Sequence, residues 1–200
     1  MSDILAFTRW IHYIAGVMWI GHLWFFNFVN LNYQTEVPAE LKKTVNPPLM
    51  LRALFVFRWG AFFTFLSGIY MLAVLWGSAD RWMNSGAQAW YMGFGVLAGT
   101  VMFINVWGVI WPAQKKIMTG LQGGPAADPK LAPRAAMASR VNTYLSVPLL
   151  LGMMGGAHKE YNLFGGDVTG FLIAVALGLA LVKLGYMLFP KINTKIYKAS

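Results

Sequence analysis

The sequence contains no cysteine and only three histidines among its 200 residues. Without thiols, the chain can have no disulfide, no thiolate metal site, no iron–sulfur cluster and no haem attached through a CxxCH motif. Any metal or redox group must therefore be held by histidine, methionine or carboxylate side chains.

Charge is also scarce, since charged residues make up 12% of the chain and only seven are acidic. A soluble domain carries about 25% charged residues. The motifs of hydrolytic chemistry are missing too: there is no G-x-S-x-G, no H-E-x-x-H and no pair of carboxylates within an apolar run. The sequence therefore predicts no catalytic residue, and its composition is typical of a membrane protein.

Long apolar runs take the place of the missing charge, and 58% of the residues are hydrophobic. We predict an all-α integral membrane bundle that forms a single domain over residues 1–200. Five transmembrane helices are expected, at about residues 5–29, 53–76, 89–112, 140–157 and 168–189. Pro112 is expected to end the third helix, and residues 37–50 are expected to lie along the inner surface.

Basic residues alternate between the two sides of these spans. Three of the predicted segments carry most of them, namely Lys42, Lys43 and Arg52, then Lys115, Lys116, Lys130, Arg134 and Arg140, then Lys191, Lys195 and Lys198. The other two loops hold only Arg81 and Lys159. The positive-inside rule then predicts an external N-terminus and a cytoplasmic C-terminus, in a bacterial inner membrane. It also explains the net charge of +9 as a topology signal that attracts anionic lipid, with no nucleic-acid partner.

Two histidines are expected at matching depth near the outer face. His12 lies about 12 Å into the first span, and His158 ends the fourth. Facing imidazoles can ligate the iron of a b-type haem. Gly16, one turn below His12, leaves room for the macrocycle, and Arg9 or Lys159 could pair with a propionate. The alternative is that both histidines are interfacial and bond to backbone or water.

His22 lies about 15 Å deeper than His12, toward the cytoplasmic side. Arg58, Asn105, Asn142 and Tyr144 could approach its level from other spans. The functional interpretation is a second site, with His22 as a haem or metal ligand or as part of a quinone site or proton path. The structural alternative, which we favour, is a buried hydrogen-bonded cluster that fixes helix register.

Three stretches resemble the membrane urate hydroxylase family, which carries the urate oxidase N-terminal domain. Residues 9–21 read RWIHYIAGVMWIG, residues 105–116 read NVWGVIWPAQKK, and residues 139–148 read SRVNTYLSVP. His158 falls where the family has a histidine after a span, whereas His22 replaces a small residue. The resemblance implies a short form that lacks the family's C-terminal cytochrome c domain, so that part of the electron path would lie on another protein.

Three functions remain open at this point. The first is a b-type cytochrome-like electron-transfer subunit that exchanges electrons with a periplasmic cytochrome c or a partner oxidoreductase. The second is a cofactor-free accessory subunit that packs against other membrane subunits through small residues. The third is the membrane module of a urate hydroxylase-like oxidase.

Overall fold

The computed structural model describes residues 3–158, 160, 163–164 and 167–192, and the described residues form helices without any strand. Two π-helical turns, π1 (Phe25–Asn30) and π2 (Asn105–Ile110), interrupt the α-helices, and a 3₁₀ turn follows at Phe189–Lys191. The α-helices are α1 (Asp3–Trp24), α2 (Leu31–Glu36), α3 (Ala39–Trp76), α4 (Ala79–Asn84), α5 (Ala87–Ile104), α6 (Trp111–Leu121), α7 (Leu131–Ala157) and α8 (Val168–Leu188).

Four helical segments of the described chain are long and apolar enough to cross a membrane. They are Asp3–Glu36, Ala39–Trp76, Ala87–Leu121 and Val168–Lys191. A helix needs about 20 predominantly apolar residues to span the hydrocarbon core. These segments contain four of the five predicted spans, and they give the chain the character of a multi-pass membrane protein.

Helix α7, which contains the predicted span 140–157, is not among these four segments. Its polar side chains lower its apolar character, and they are buried: Asn142, Thr143 and Ser146 are 0% exposed. Helix α7 packs against α5, α6 and α8 and also contacts α1. It is therefore a central helix that directs its polar residues toward other helices.

Pro112 does not end the third helix, contrary to the sequence-based prediction. Pro112 lies in the first turn of α6, directly after π2, and the helical path continues to Leu121. The path is helical without a break from Ala87 to Leu121, so Pro112 lies inside it, and the π-helical turn directly before it is where the helix accommodates a residue without an N–H. The segment predicted to lie along the surface is helical from Ala39 onward, and α3 runs through Pro47 and Pro48.

Small residues bring two helix pairs into close contact. In the α1–α3 pair, a β-carbon added at Gly60 would lie 2.9 Å from the backbone nitrogen of Trp19. In the α5–α7 pair, one added at Gly152 would lie 2.8 Å from the carbonyl oxygen of Tyr91 and 3.0 Å from the Cα atom of Gly95. Backbones that approach this closely are the usual basis of helix association in lipid.

A buried apolar core joins the pairs. Leu23, Leu54, Phe57, Met102 and Val106 are each at most 2% exposed and belong to one cluster. The core thus contains side chains from α1, α3, α5 and π2.

Candidate functional site

His12 lies in the seam between α1 and α3, where its Nδ1 atom is 3.1 Å from the Oγ atom of Ser67. The Ser67 hydroxyl has one proton, and two carbonyl oxygens that can only accept lie near Oγ, that of Phe63 at 2.6 Å and that of Thr64 at 3.1 Å. With the proton directed to either carbonyl, the ring of His12 donates the hydrogen bond to Oγ. We therefore assign the neutral ring as the Nδ1–H tautomer, which leaves the lone pair on Nε2.

Helix α3 fits closely around this ring. A β-carbon added at Gly68 would lie 3.2 Å from the Cε1 atom of His12, so glycine at that position makes room for the imidazole. Gly16, one turn along α1 from His12, has no atom within 4 Å of an added β-carbon and faces open space. No other described residue therefore covers α1 at Gly16.

His158 follows the last residue of α7, and its side chain is 52% exposed. Its Nδ1 atom lies 3.5 Å from a carboxylate oxygen of Glu160. Lys159, predicted to pair with a propionate, lies outside the described residues. The two imidazoles predicted to pair thus have different neighbours, Ser67 for His12 and Glu160 for His158, and their pairing on one iron remains a prediction.

Gly156, two residues before His158, lies in the contact between α7 and α5. A β-carbon added at Gly156 would lie 2.8 Å from the Cα atom of Met92 on α5, and the side chain of Gln88 donates to the Gly156 carbonyl oxygen at 3.4 Å. The end of α7 is therefore held against α5 just before His158.

His22 has a local hydrogen bond and faces a groove. Its Nδ1 atom lies 2.7 Å from the carbonyl oxygen of Met18, which can only accept, so the Nδ1–H tautomer follows here too. The groove has a volume of about 510 Å³ and is open on one side; it is lined by Val17, Met18, Gly21, His22, Phe25, Leu49 and Ala53.

The three histidines thus share one arrangement, in which Nδ1 faces an oxygen atom. Ligating histidines commonly use Nδ1–H in this way, because the hydrogen bond fixes the ring and leaves Nε2 for the metal. Within the described ranges, however, no three His, Cys, Asp or Glu side chains come together in a group that could hold a bare metal ion.

A second feature is a cluster of polar side chains centred on α7. Its hydrogen bonds connect α7 to α5 and to π2. The Nδ2 atom of Asn105, the first residue of π2, donates to Oδ1 of Asn142 at 2.8 Å. The Nδ2 atom of Asn142 donates to the carbonyl oxygen of Met102 at 2.9 Å. Both asparagines belong to the stretches that carry the family resemblance, so these motif residues connect two helices.

The same cluster extends to α1 and α8. Asn27 in π1 donates to Oγ of Ser139 at 2.8 Å and accepts from the hydroxyl of Tyr186 at 2.9 Å. Trp24 donates through Nε1 to Oγ of Ser146 at 2.9 Å. Side chains of α7 thus form hydrogen bonds with α1, π1 and π2. These hydrogen bonds fix the register of the helices relative to α7. His22, which was predicted near this level, bonds to its own helix instead.

Replacing Asn142 with leucine should destabilise the protein by about 1–3 kcal/mol, because the buried carbonyl of Met102 and the half-buried side-chain amide of Asn105 would both lose their partner. Unfolding of the purified protein in detergent, followed by circular dichroism, measures this. The matched control is Asn84→Leu at the exposed end of α4, which should unfold like the wild type. Equal stability of the two variants would contradict a stabilising role for the cluster.

Arg58 is a third feature. The sequence predicted only that its depth in the membrane is close to that of His22. Its guanidinium carbon lies 3.8 Å from the ring centroid of Trp111 and 5.9 Å from those of Trp59 and Trp107. In the sequence, Arg58 stands out only as an arginine with aromatic neighbours inside an apolar run. That pattern does not indicate which other helix packs against Arg58.

Fold and site together define a helical, multi-pass membrane protein with a polar centre and several histidines. Residues 82–195 match the family described as urate oxidase N-terminal, and the chain belongs to that family. The match includes Asn105, Asn142 and His158, whereas His12 and His22 precede it. Comparison with curated proteins gives no match, and comparison with solved structures gives none either.

Proposed function

We propose that this chain is the membrane electron-transfer module of a urate oxidase-type redox system and that it binds haem b through His12. Family membership supports the redox assignment. The observation that carries the haem assignment is the hydrogen bond from His12 Nδ1 to Ser67, which orients the ring and leaves Nε2 as the ligating atom. When bound, haem b supplies reversible one-electron transfer.

The residues of this chain have distinct proposed roles. His12 supplies Nε2, and Ser67 holds the ring through Nδ1. His158 is the second proposed ligand, and the carboxylate of Glu160 beside its Nδ1 atom would increase its basicity in the same manner. Arg9, three residues before His12, would pair with a propionate, as would Lys159. Gly16 keeps the adjacent space open for a flat macrocycle.

The proposal includes an orientation in a bacterial inner membrane. The basic residues around α6 and the start of α7 would lie in the cytoplasm, with the N-terminus outside. Helix α7 is proposed as the fifth span, since its 27 residues would extend about 40 Å. His12 would then hold the cofactor near the outer face, within reach of a periplasmic cytochrome c or of a partner membrane subunit for electron exchange.

A reduced-minus-oxidised visible spectrum of the purified protein, expressed with added haem precursor, tests the proposal. Haem b bands with a stoichiometry near one per chain are expected. Protein that is folded by circular dichroism but has no such bands would contradict it. The cofactor-free accessory subunit would then be the better description.

A further inference from the structure

The groove beside His22 is apolar except for one imidazole ring. It lies between α1, π1 and α3, has a volume of about 510 Å³, and has six apolar residues in its lining besides His22. Sites for small organic ligands commonly have volumes of about 300–1,000 Å³ and a few polar groups in a mainly apolar lining. The groove therefore has the size of a ligand site and offers a single side chain for hydrogen bonding.

The groove is accessible from the surface that faces lipid. Among its lining residues, Val17 is 75% exposed, Leu49 42% and Met18 37%. All three belong to helical segments that are apolar enough to cross a membrane. A molecule dissolved in the bilayer can therefore enter the groove from the side, and no helix has to move.

The tautomer of His22 determines which chemical group fits there. Its Nδ1–H donates to the carbonyl oxygen of Met18 at 2.7 Å, so in the neutral ring Nε2 is a hydrogen-bond acceptor. This nitrogen has no hydrogen-bond partner among the described residues. The phosphate and ester oxygens of a phospholipid only accept hydrogen bonds, so they do not complement Nε2. The complementary ligand has a hydrogen-bond donor on an otherwise apolar body.

The depth of the groove is favourable for such a ligand. From Asp3, the charged first residue of α1, the helix extends about 28 Å to His22. The hydrocarbon core is about 30 Å thick. On α3, the lining residues Leu49 and Ala53 lie on either side of Arg52, which is exposed. In the proposed orientation the groove thus lies near the cytoplasmic boundary of the core, where a hydroxyl group stays close to water while an apolar tail extends into lipid.

We propose that this groove binds the ring of a membrane quinol and that Nε2 of His22 accepts a hydrogen bond from one of its hydroxyl groups. A quinol combines hydroxyl donors on a flat ring with an apolar tail, and Phe25 in the lining offers an aromatic ring to pack against it. The choice of a quinol over other lipids with a hydroxyl group rests on the proposed electron-transfer function, because a quinol carries electrons within the membrane. His12 lies on the same helix, about 15 Å away along its axis.

Competition between two ligands tests the proposal. The full chain in detergent is equilibrated without oxygen with equal amounts of decylubiquinol and of its di-O-methyl ether, which has the same ring and tail but no hydroxyl donor. The protein is recovered by affinity, and the bound molecules are extracted and quantified by mass spectrometry against empty micelles. The wild type should retain about fivefold more quinol than ether, since one hydrogen bond distinguishes the two.

Two variants connect the preference to the groove. His22→Phe keeps an aromatic ring and removes the acceptor, so it should retain quinol and ether equally. Gly21→Leu should lose both ligands, because the new side chain would occupy the groove. Its matched control is Gly108→Leu in π2, outside the groove; at both glycines an added β-carbon has no atom within 4 Å. Gly108→Leu should bind the two ligands as the wild type does.

Equal retention of quinol and ether by the wild type would overturn the proposal, and so would an unchanged quinol preference in His22→Phe. Retention by Gly21→Leu equal to that by Gly108→Leu would overturn it as well, because the ligand would then bind elsewhere. This measurement does not depend on haem. A quinol preference in protein without haem bands would contradict the proposed haem site alone, whereas haem bands without a quinol preference would contradict the quinol site alone.

Discussion

His12→Ala should abolish the haem b absorption bands of the purified protein. The substitution removes the nitrogen atom proposed to ligate the iron, and the other histidine of α1, His22, bonds to the carbonyl oxygen of Met18 and not to Ser67. Reduced-minus-oxidised spectra of the wild type and the variant, prepared under identical haem supply, measure the effect. Circular dichroism must show that both are equally helical.

Two further substitutions make the result specific. His22→Ala should keep the bands, because His22 bonds to Met18 on its own helix and faces a separate groove. Ser67→Ala should keep the iron ligand but release the Nδ1–H, and the loss of such a partner commonly weakens binding about 10–100-fold. Full haem occupancy in His12→Ala, with the spectrum of the wild type, would exclude His12 as the ligand.

Gly152→Val should separate α5 from α7 and destabilise the protein by about 3 kcal/mol. The first added carbon would lie 2.8 Å from the carbonyl oxygen of Tyr91 and 3.0 Å from the Cα atom of Gly95. Both are backbone atoms, so the clash can be relieved only if a whole helix moves. Thermal unfolding in detergent, followed by circular dichroism and by aggregation, measures the loss.

Gly108→Val provides the matched control, since an added β-carbon at this exposed position in π2 has no atom within 4 Å. Both variants place the same β-branched side chain in a helical segment, and so they share its intrinsic cost. Only the contact with the second helix differs. Similar unfolding temperatures for the two would show that the α5–α7 contact contributes little.

Much of the architecture could be predicted from the sequence, because lipid requires long apolar helices. Four of the five predicted spans lie within segments that the structure confirms as apolar enough to cross a membrane. Helix α7 was harder to assess by hydropathy, since Asn142, Thr143 and Ser146 are polar by composition but buried by packing. The continuation past Pro112 was missed because a π-helical turn before proline leaves no clear pattern in the sequence.

The candidate sites were predictable to a smaller extent. The sequence grouped Asn105 with Asn142, and the two side chains do hydrogen-bond. It also grouped His22 with them, but helical periodicity could not reveal that His22 bonds to Met18. The aromatic surroundings of Arg58 require that Trp111 of α6 meet α3, which is a long-range contact. Such contacts depend on how helices assemble and not on the spacing within one of them.

The polar character of α7 has a consequence for biogenesis. As the fifth span proposed above, a segment with Asn142, Thr143 and Ser146 in its middle would partition poorly from a translocon into lipid by itself. Helix α5 and π2 precede it in the chain and offer the carbonyl of Met102 and the side chain of Asn105 as partners. We therefore expect α7 to leave the insertion machinery together with α5, so that co-translational delivery of the two helices, in that order, sets the yield of assembled protein.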